Sequence, residues 1–132
     1  MTLAASQATV GTWAGRLLSA VVALALLADA ATMLLLPSMM HDEIAHAGFA
    51  DSAALPLGII TLVCAILYAI PRTAVLGAIL VTGFLGGAIC THFRLGEISS
   101  PPQIISLVLG LMTWAGLYLR NALVRSLLPF TA

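Results

Sequence analysis

Ser52 to Thr91 reads SAALPLGIITLVCAILYAIPRTAVLGAILVTGFLGGAICT, and Arg72 is its only charge. About 20 apolar residues cross the hydrocarbon core of a bilayer as a helix. The charge-free runs on either side of Arg72, Ser52–Pro71 and Thr73–Thr91, are each long enough to span. Ile70-Pro71-Arg72-Thr73 joins them so closely that the two form a tight antiparallel hairpin. Ile98 to Leu119 is a further charge-free run. It opens with Ser99-Ser100-Pro101-Pro102, capping residues followed by Pro, which a first helical turn tolerates. Leu17 to Leu36 is equally apolar apart from Asp29. The pattern predicts an all-α integral membrane four-helix bundle. It forms a single transmembrane domain over 1–132, with spans at about 17–36, 53–71, 73–92 and 102–120.

Composition agrees. Of 132 residues, 61% are apolar and 8% are charged, where a soluble domain carries roughly a quarter as charges. Five basic and five acidic side chains cannot cover the surface of a water-soluble protein of this size. Disorder needs low hydrophobicity and is excluded as well. A formal net charge of zero leaves no basic surface for nucleic acid. The surrounding partner is the lipid bilayer.

Arginine placement sets the expected orientation. With four spans, Arg16, Arg72, Arg120 and Arg125 fall on one side and Arg94 on the other, so both termini are expected in the cytoplasm. Pro37–Ser52 and Phe93–Pro102 then face outward. Arg16, the apolar run and Ala28-Asp29-Ala30 imitate a cleaved signal peptide. The run continues through Ala31-Thr32-Met33-Leu34-Leu35-Leu36 instead of turning polar, so the first helix is expected to be retained.

Ionisable residues within spans carry the functional reading. Asp29 lies roughly 10 Å below the outer surface when counted back from Leu36 at the rise of a helix. A carboxylate there costs on the order of 3 kcal/mol, so it faces the bundle interior and takes a partner. Arg94 is the expected partner, ahead of His92. The bland alternative is a structural ion pair between the first and third helices. In the third helix Gly83 and Gly87 form a small-residue face that Gly86, Cys90 and Arg94 extend. Such a stripe either packs closely on another helix or leaves a slot for a flat ligand. His92 is two residues from both Cys90 and Arg94, about 200° around a regular helix from each.

The outward segment Met39-Met40-His41-Asp42-Glu43-Ile44-Ala45-His46 holds two His and two acids. Glu43 and His46 have the spacing of a carboxylate-bridged di-iron helix, but no second copy of the motif exists, and no metal is expected. Asp42 and His46 equally suit an i, i+4 helix pair. Cys64 lies about 16 Å into its span, whereas Cys90 is within roughly one turn of the surface, so no disulfide joins them. Trp13, Trp114 and Tyr118 read as packing or interfacial anchors.

The runs Ile70-Pro71-Arg72-Thr73-Ala74-Val75-Leu76-Gly77-Ala78-Ile79-Leu80, Gly83-Phe84-Leu85-Gly86-Gly87-Ala88 and Thr91-His92-Phe93-Arg94-Leu95-Gly96 resemble the DoxX-like membrane proteins. Trp114 and Gly116-Leu117-Tyr118-Leu119-Arg120 fit the end of the same pattern. In the first helix the family often shows Asp-Gly followed by Lys; here Ala30 follows Asp29, and Met33 stands in place of the base. The resemblance implies a four-helix membrane bundle. Relatives include small subunits associated with quinone-linked sulfur oxidation and quinol oxidation, and membrane assembly factors, so it implies function only at the level of fold analogy.

Two readings follow. In the first, the chain is a bacterial inner-membrane protein with a pocket near the outer leaflet for a lipid-soluble molecule, quinone-like or isoprenoid-like, within a redox system. Asp29 would exchange a proton, Arg94 would hold a ligand oxygen, and His92 would relay protons outward, above a floor of Gly83, Gly86, Gly87 and Cys90. In the second, the protein is a non-enzymatic interaction or assembly factor. Asp29–Arg94 is then structural, and the glycine face docks a partner helix or a second copy. Cysteines introduced singly at Ser6 and Ala47 of a Cys-free variant should label from opposite sides of the membrane. Labelling from one side would overturn the four-span orientation.

Overall fold

The computed structural model describes residues 2–128, and the extreme chain ends lie outside them. Six helices follow in order: α1 (Thr2–Leu35), α2 (Pro37–His46), α3 (Ala54–Ala69), α4 (Ala74–Arg94), α5 (Pro101–Arg120) and α6 (Ala122–Leu127). A single 3-10 turn, Asp51–Ala53, precedes α3. Four stretches are long and apolar enough to cross a membrane: Thr9–Leu35, Asp51–Ala69, Ala74–Arg94 and Pro101–Arg120. The all-helical, four-span architecture read from the sequence is therefore present. α1 begins well before residue 17, because neither Pro nor a charge interrupts the chain ahead of Arg16. Large apolar side chains such as Leu24, Ile59, Ile79 and Leu111 point outward on all four helices, as a bilayer environment requires.

The four long helices form a ring in which α1 packs on α3 and α5, and α4 packs on the same two. α1 and α4 are thus diagonal. The hairpin between α3 and α4 is as tight as Ile70-Pro71-Arg72-Thr73 implies: Thr73 N–H donates to Ile70 C=O at 3.1 Å, and Thr73 Oγ1 donates to Leu67 C=O at 2.8 Å. Gly77 closes it. A Cβ there would run into the Tyr68 backbone.

The packed core lies toward the Arg72 end of the bundle. Val22 and Leu26 of α1, Ala65 and Tyr68 of α3, Ala78 and Val81 of α4, and Leu117 of α5 form one buried cluster, with Val124 of α6 beneath it. Polar groups bind this end together. Tyr68 Oη donates to Thr113 C=O at 2.8 Å and stands 3.0 Å from Ser19 Oγ, while Arg120 Nη2 donates to Tyr68 C=O at 3.0 Å. The Arg120 guanidinium also lies 5.1 Å from the Tyr68 ring centroid, within cation–π range. α1 and α5 cross where two glycines meet: a Cβ on Gly15 would lie 2.8 Å from Gly116 O, and one on Gly116 would lie 2.7 Å from Ser19 Oγ.

Close helix approach therefore falls on Gly15, Gly77 and Gly116. Gly83, Gly86 and Gly87 have nothing within 4 Å of an added Cβ. Gly77→Ala and Gly116→Ala should each destabilise the bundle by roughly 1–3 kcal/mol through overpacking. Gly83→Ala should be neutral or slightly stabilising, because Ala is the better helix former. Melting temperatures of the purified variants check this. Equal losses at Gly83 and Gly77 would contradict the packing described.

Candidate functional site

Beyond Leu85, α4 leaves the core, and a cavity of about 830 Å³ opens at the Arg94 end. That volume lies within the roughly 300–1,000 Å³ typical of small-molecule sites. Gly83, Gly87 and Thr91 form one i, i+4 row of α4 along its wall, and Phe84, Ala88 and His92 form the adjoining row. Met33 of α1, Leu57 of α3 and the Pro101-Pro102 start of α5 complete the apolar surround. Asp42, Glu43 and His46 of α2 stand at its mouth.

Two glycine-terminated helix ends build that mouth. At the end of α4, Glu97 N–H donates to His92 C=O at 2.9 Å and Gly96 N–H to Phe93 C=O at 3.0 Å, with Gly96 at φ +76°. This is a Schellman cap, and it folds Glu97 back over the last turn. At the end of α2, Phe49 N–H donates to Ile44 C=O and Gly48 N–H to Ala45 C=O, both at 3.0 Å, with Gly48 at φ +82°. The second Schellman cap turns the chain toward α3.

The two ends then clasp each other. The Glu97 carboxylate accepts from His92 Nδ1 at 2.7 Å through one oxygen and from His46 Nε2 through the other. In return, Arg94 Nη2 donates to Ala47 C=O at 2.5 Å, where a cation favours the negative end of the α2 dipole. α2 is otherwise held by one buried side chain, Ile44, and by His41, 3.1 Å from Asp51 at the surface. It is a short cover, fastened at its far end.

Of the residues singled out from the sequence, Gly83, Gly87 and His92 line the cavity. Gly86 and Cys90 occupy the neighbouring row of α4 and do not. Asp29 and Arg94 are not brought together: α1 and α4 are diagonal, and Arg94 reaches sideways to α2. His92 and Arg94 diverge, as their separation around a regular helix requires. Asp29 is half-buried and makes no ion pair among the described residues. Glu97, absent from the sequence reading, is the centre of the cluster. Gly96, two residues past Arg94, was the available signal, since a glycine at that position turns the next residue back over the helix. Both cysteines are free. Among the described residues no group of three or more His, Cys, Asp and Glu could hold a metal ion.

Hydrogen bonds from His92, then His46, hold the Glu97 carboxyl below the usual carboxylate range. A depressed native value means that the clasp is fully formed above the ordinary Glu value of about 4.3 and is lost as pH falls through the lower native value. Spin labels at Ala45 and Ile98 should keep one short distance from pH 7 to 5 and separate only below the ordinary Glu range. Glu97→Gln should broaden that distance throughout. Opening of the native protein centred between pH 6 and 7 would contradict this assignment.

No curated protein and no solved structure matches the chain. The profile of the DoxX-like family matches residues 17–116, three quarters of the sequence, and the chain belongs to that family.

Proposed function

We propose that this protein holds a lipid-soluble small molecule, quinone-like or isoprenoid-like, in the cavity beside α4, and that it serves as the membrane component of a redox system. On this reading the membrane is a bacterial inner membrane, and the arginine asymmetry supports cytoplasmic termini with the cavity toward the outer leaflet. The observation that carries the reading is the unfilled row at Gly83 and Gly87. An added Cβ would meet nothing within 4 Å at either position, and both glycines stand along the wall of a cavity of small-molecule size. An apolar lining with a few polar groups gathered at one end is the composition of such sites. Phe84 and Met33 suit the apolar body of the ligand, while His46, His92 and Glu97 suit its head. These three take the polar role that the sequence assigned to Asp29 and Arg94.

The alternative, an interaction or assembly factor, uses the same glycines to seat another helix. One variant separates the two. Gly87→Leu should fill the cavity and remove small molecules retained after gentle extraction, with the monomer still folded and monodisperse. Mass spectrometry of extracts from both proteins reads the result. An unchanged small-molecule content in a well-folded Gly87→Leu protein would refute the pocket. Loss of assembly with no ligand to lose would favour the interaction factor.

A further inference from the structure

The polar rim of the cavity has a directional chemistry, and it bears on what the head of the ligand must be. Glu97 is shared between two imidazoles, through His92 Nδ1 and His46 Nε2. An ionised carboxylate offers only lone pairs, so the imidazole nitrogens facing it carry the hydrogens. With neutral imidazoles this arrangement fixes both tautomers and leaves His92 Nε2 and His46 Nδ1 as acceptors. Asp42 and Glu43, on the same rim, are carboxylates without an ion pair among the described residues. Thr91 Oγ1 has spent its hydrogen on Gly87 C=O at 2.9 Å, which leaves its lone pairs.

The backbone repeats the pattern. A helix N-terminus on a cavity wall normally offers free N–H groups and favours an anion. Here α5 begins with Pro101 and Pro102, and Pro has no N–H. α4 meets the cavity with its C-terminal turn, the negative end of its dipole. Arg94, the cation nearest in sequence, turns one N–H to Ala47 C=O and is not among the residues that line the cavity. Among the described lining residues, the Ser100 hydroxyl, buried without a partner, is the group free to turn either way.

We propose, resting on the pocket reading above, that the cavity selects an apolar molecule whose head donates a hydrogen bond and carries no negative charge. An alcohol, a hydroquinone or an amine meets this condition. A phosphate ester or a carboxylate does not, and an oxidised quinone, which has only acceptor oxygens, finds a single donor on this rim, the Ser100 hydroxyl. The cavity therefore discriminates between the reduced and oxidised forms of a quinone-like ligand and favours the reduced one.

Farnesyl compounds with one tail and four heads test the inference. The full chain in phosphatidylcholine nanodiscs at pH 8 is loaded with tritiated farnesol, which is displaced by unlabelled farnesol, farnesylamine, farnesyl methyl ether or farnesyl phosphate. Farnesol and the amine should compete well. The ether, which keeps the oxygen but loses the donor, should be about tenfold weaker, and the phosphate at least as weak. Asp42→Asn with Glu43→Gln should narrow the gap between phosphate and alcohol. An ether equal to farnesol, a phosphate that binds more tightly, or a gap unmoved by the double variant would overturn the donor-head inference and leave the pocket standing. Saturable farnesol binding that survives Gly87→Leu, or none in the native protein, would overturn both.

Discussion

Tyr68 is the side chain on which the bundle depends. It is fully buried and joins three helices through its hydroxyl, with Ser19 from α1 on one side and the Thr113 carbonyl from α5 on the other. Its backbone carbonyl takes Arg120, and its own backbone is the surface against which Gly77 seats α4. Within a membrane, apolar contact between helices is barely better than contact with lipid. Hydrogen bonds and close backbone approach must therefore supply cohesion, and here they converge on one residue. The Tyr68 hydroxyl donates its hydrogen to Thr113, so Ser19 must be the donor in the remaining bond. That order leaves none of the hydroxyls in the knot unsatisfied.

Concentrating cohesion at one end frees the other. The glycines divide between two tasks according to what stands opposite them. Gly15, Gly77 and Gly116 are small because a backbone is pressed against them; Gly83 and Gly87 are small and have nothing against them. The same change along α4, from the buried Ala78, Val81 and Leu85 to the open wall of Gly83, Phe84, Gly87 and Ala88, converts a packing face into a cavity within one continuous helix. A bundle knotted at both ends would have little room for a guest. Knotted at one end, it keeps a stable ring and leaves an opening covered by α2.

The spans and the hairpin were legible in the sequence because long charge-free runs and Pro-Arg punctuation are local signals. The absence of an ion pair at Asp29 among the described residues was not. Depth along a helix is readable from residue counting, but which helices are diagonal in a ring depends on contacts such as Gly15 with Gly116, which no local pattern announces. The glycine stripe misled in a similar way. Spacing alone joined Gly83 and Gly87 to Gly86 and Cys90, whereas the fold turns only the first pair toward the cavity. The divergence of His92 and Arg94 was readable, since it follows from helix geometry alone. Glu97 was missed because it lies outside every span, on a turn whose shape is set by Gly96.

The placement of Arg94 also has an electrostatic consequence. Had it paired with Asp29 across the bundle, a guanidinium would sit beside the cavity and welcome an anionic head. Bonded to Ala47, it ties the end of α2 to the end of α4 instead, and it is not among the residues that line the cavity. The two Schellman glycines make this arrangement possible. Gly96 lets Glu97 return over His92, and Gly48 lies so close to the guanidinium that an added Cβ would stand 2.9 Å from Arg94 Nη2. A side chain at either position would face both an unfavourable φ and, at residue 48, the cation itself. The same two turns therefore fasten the cover and set where the Glu97 carboxylate and the Arg94 guanidinium stand around the entrance.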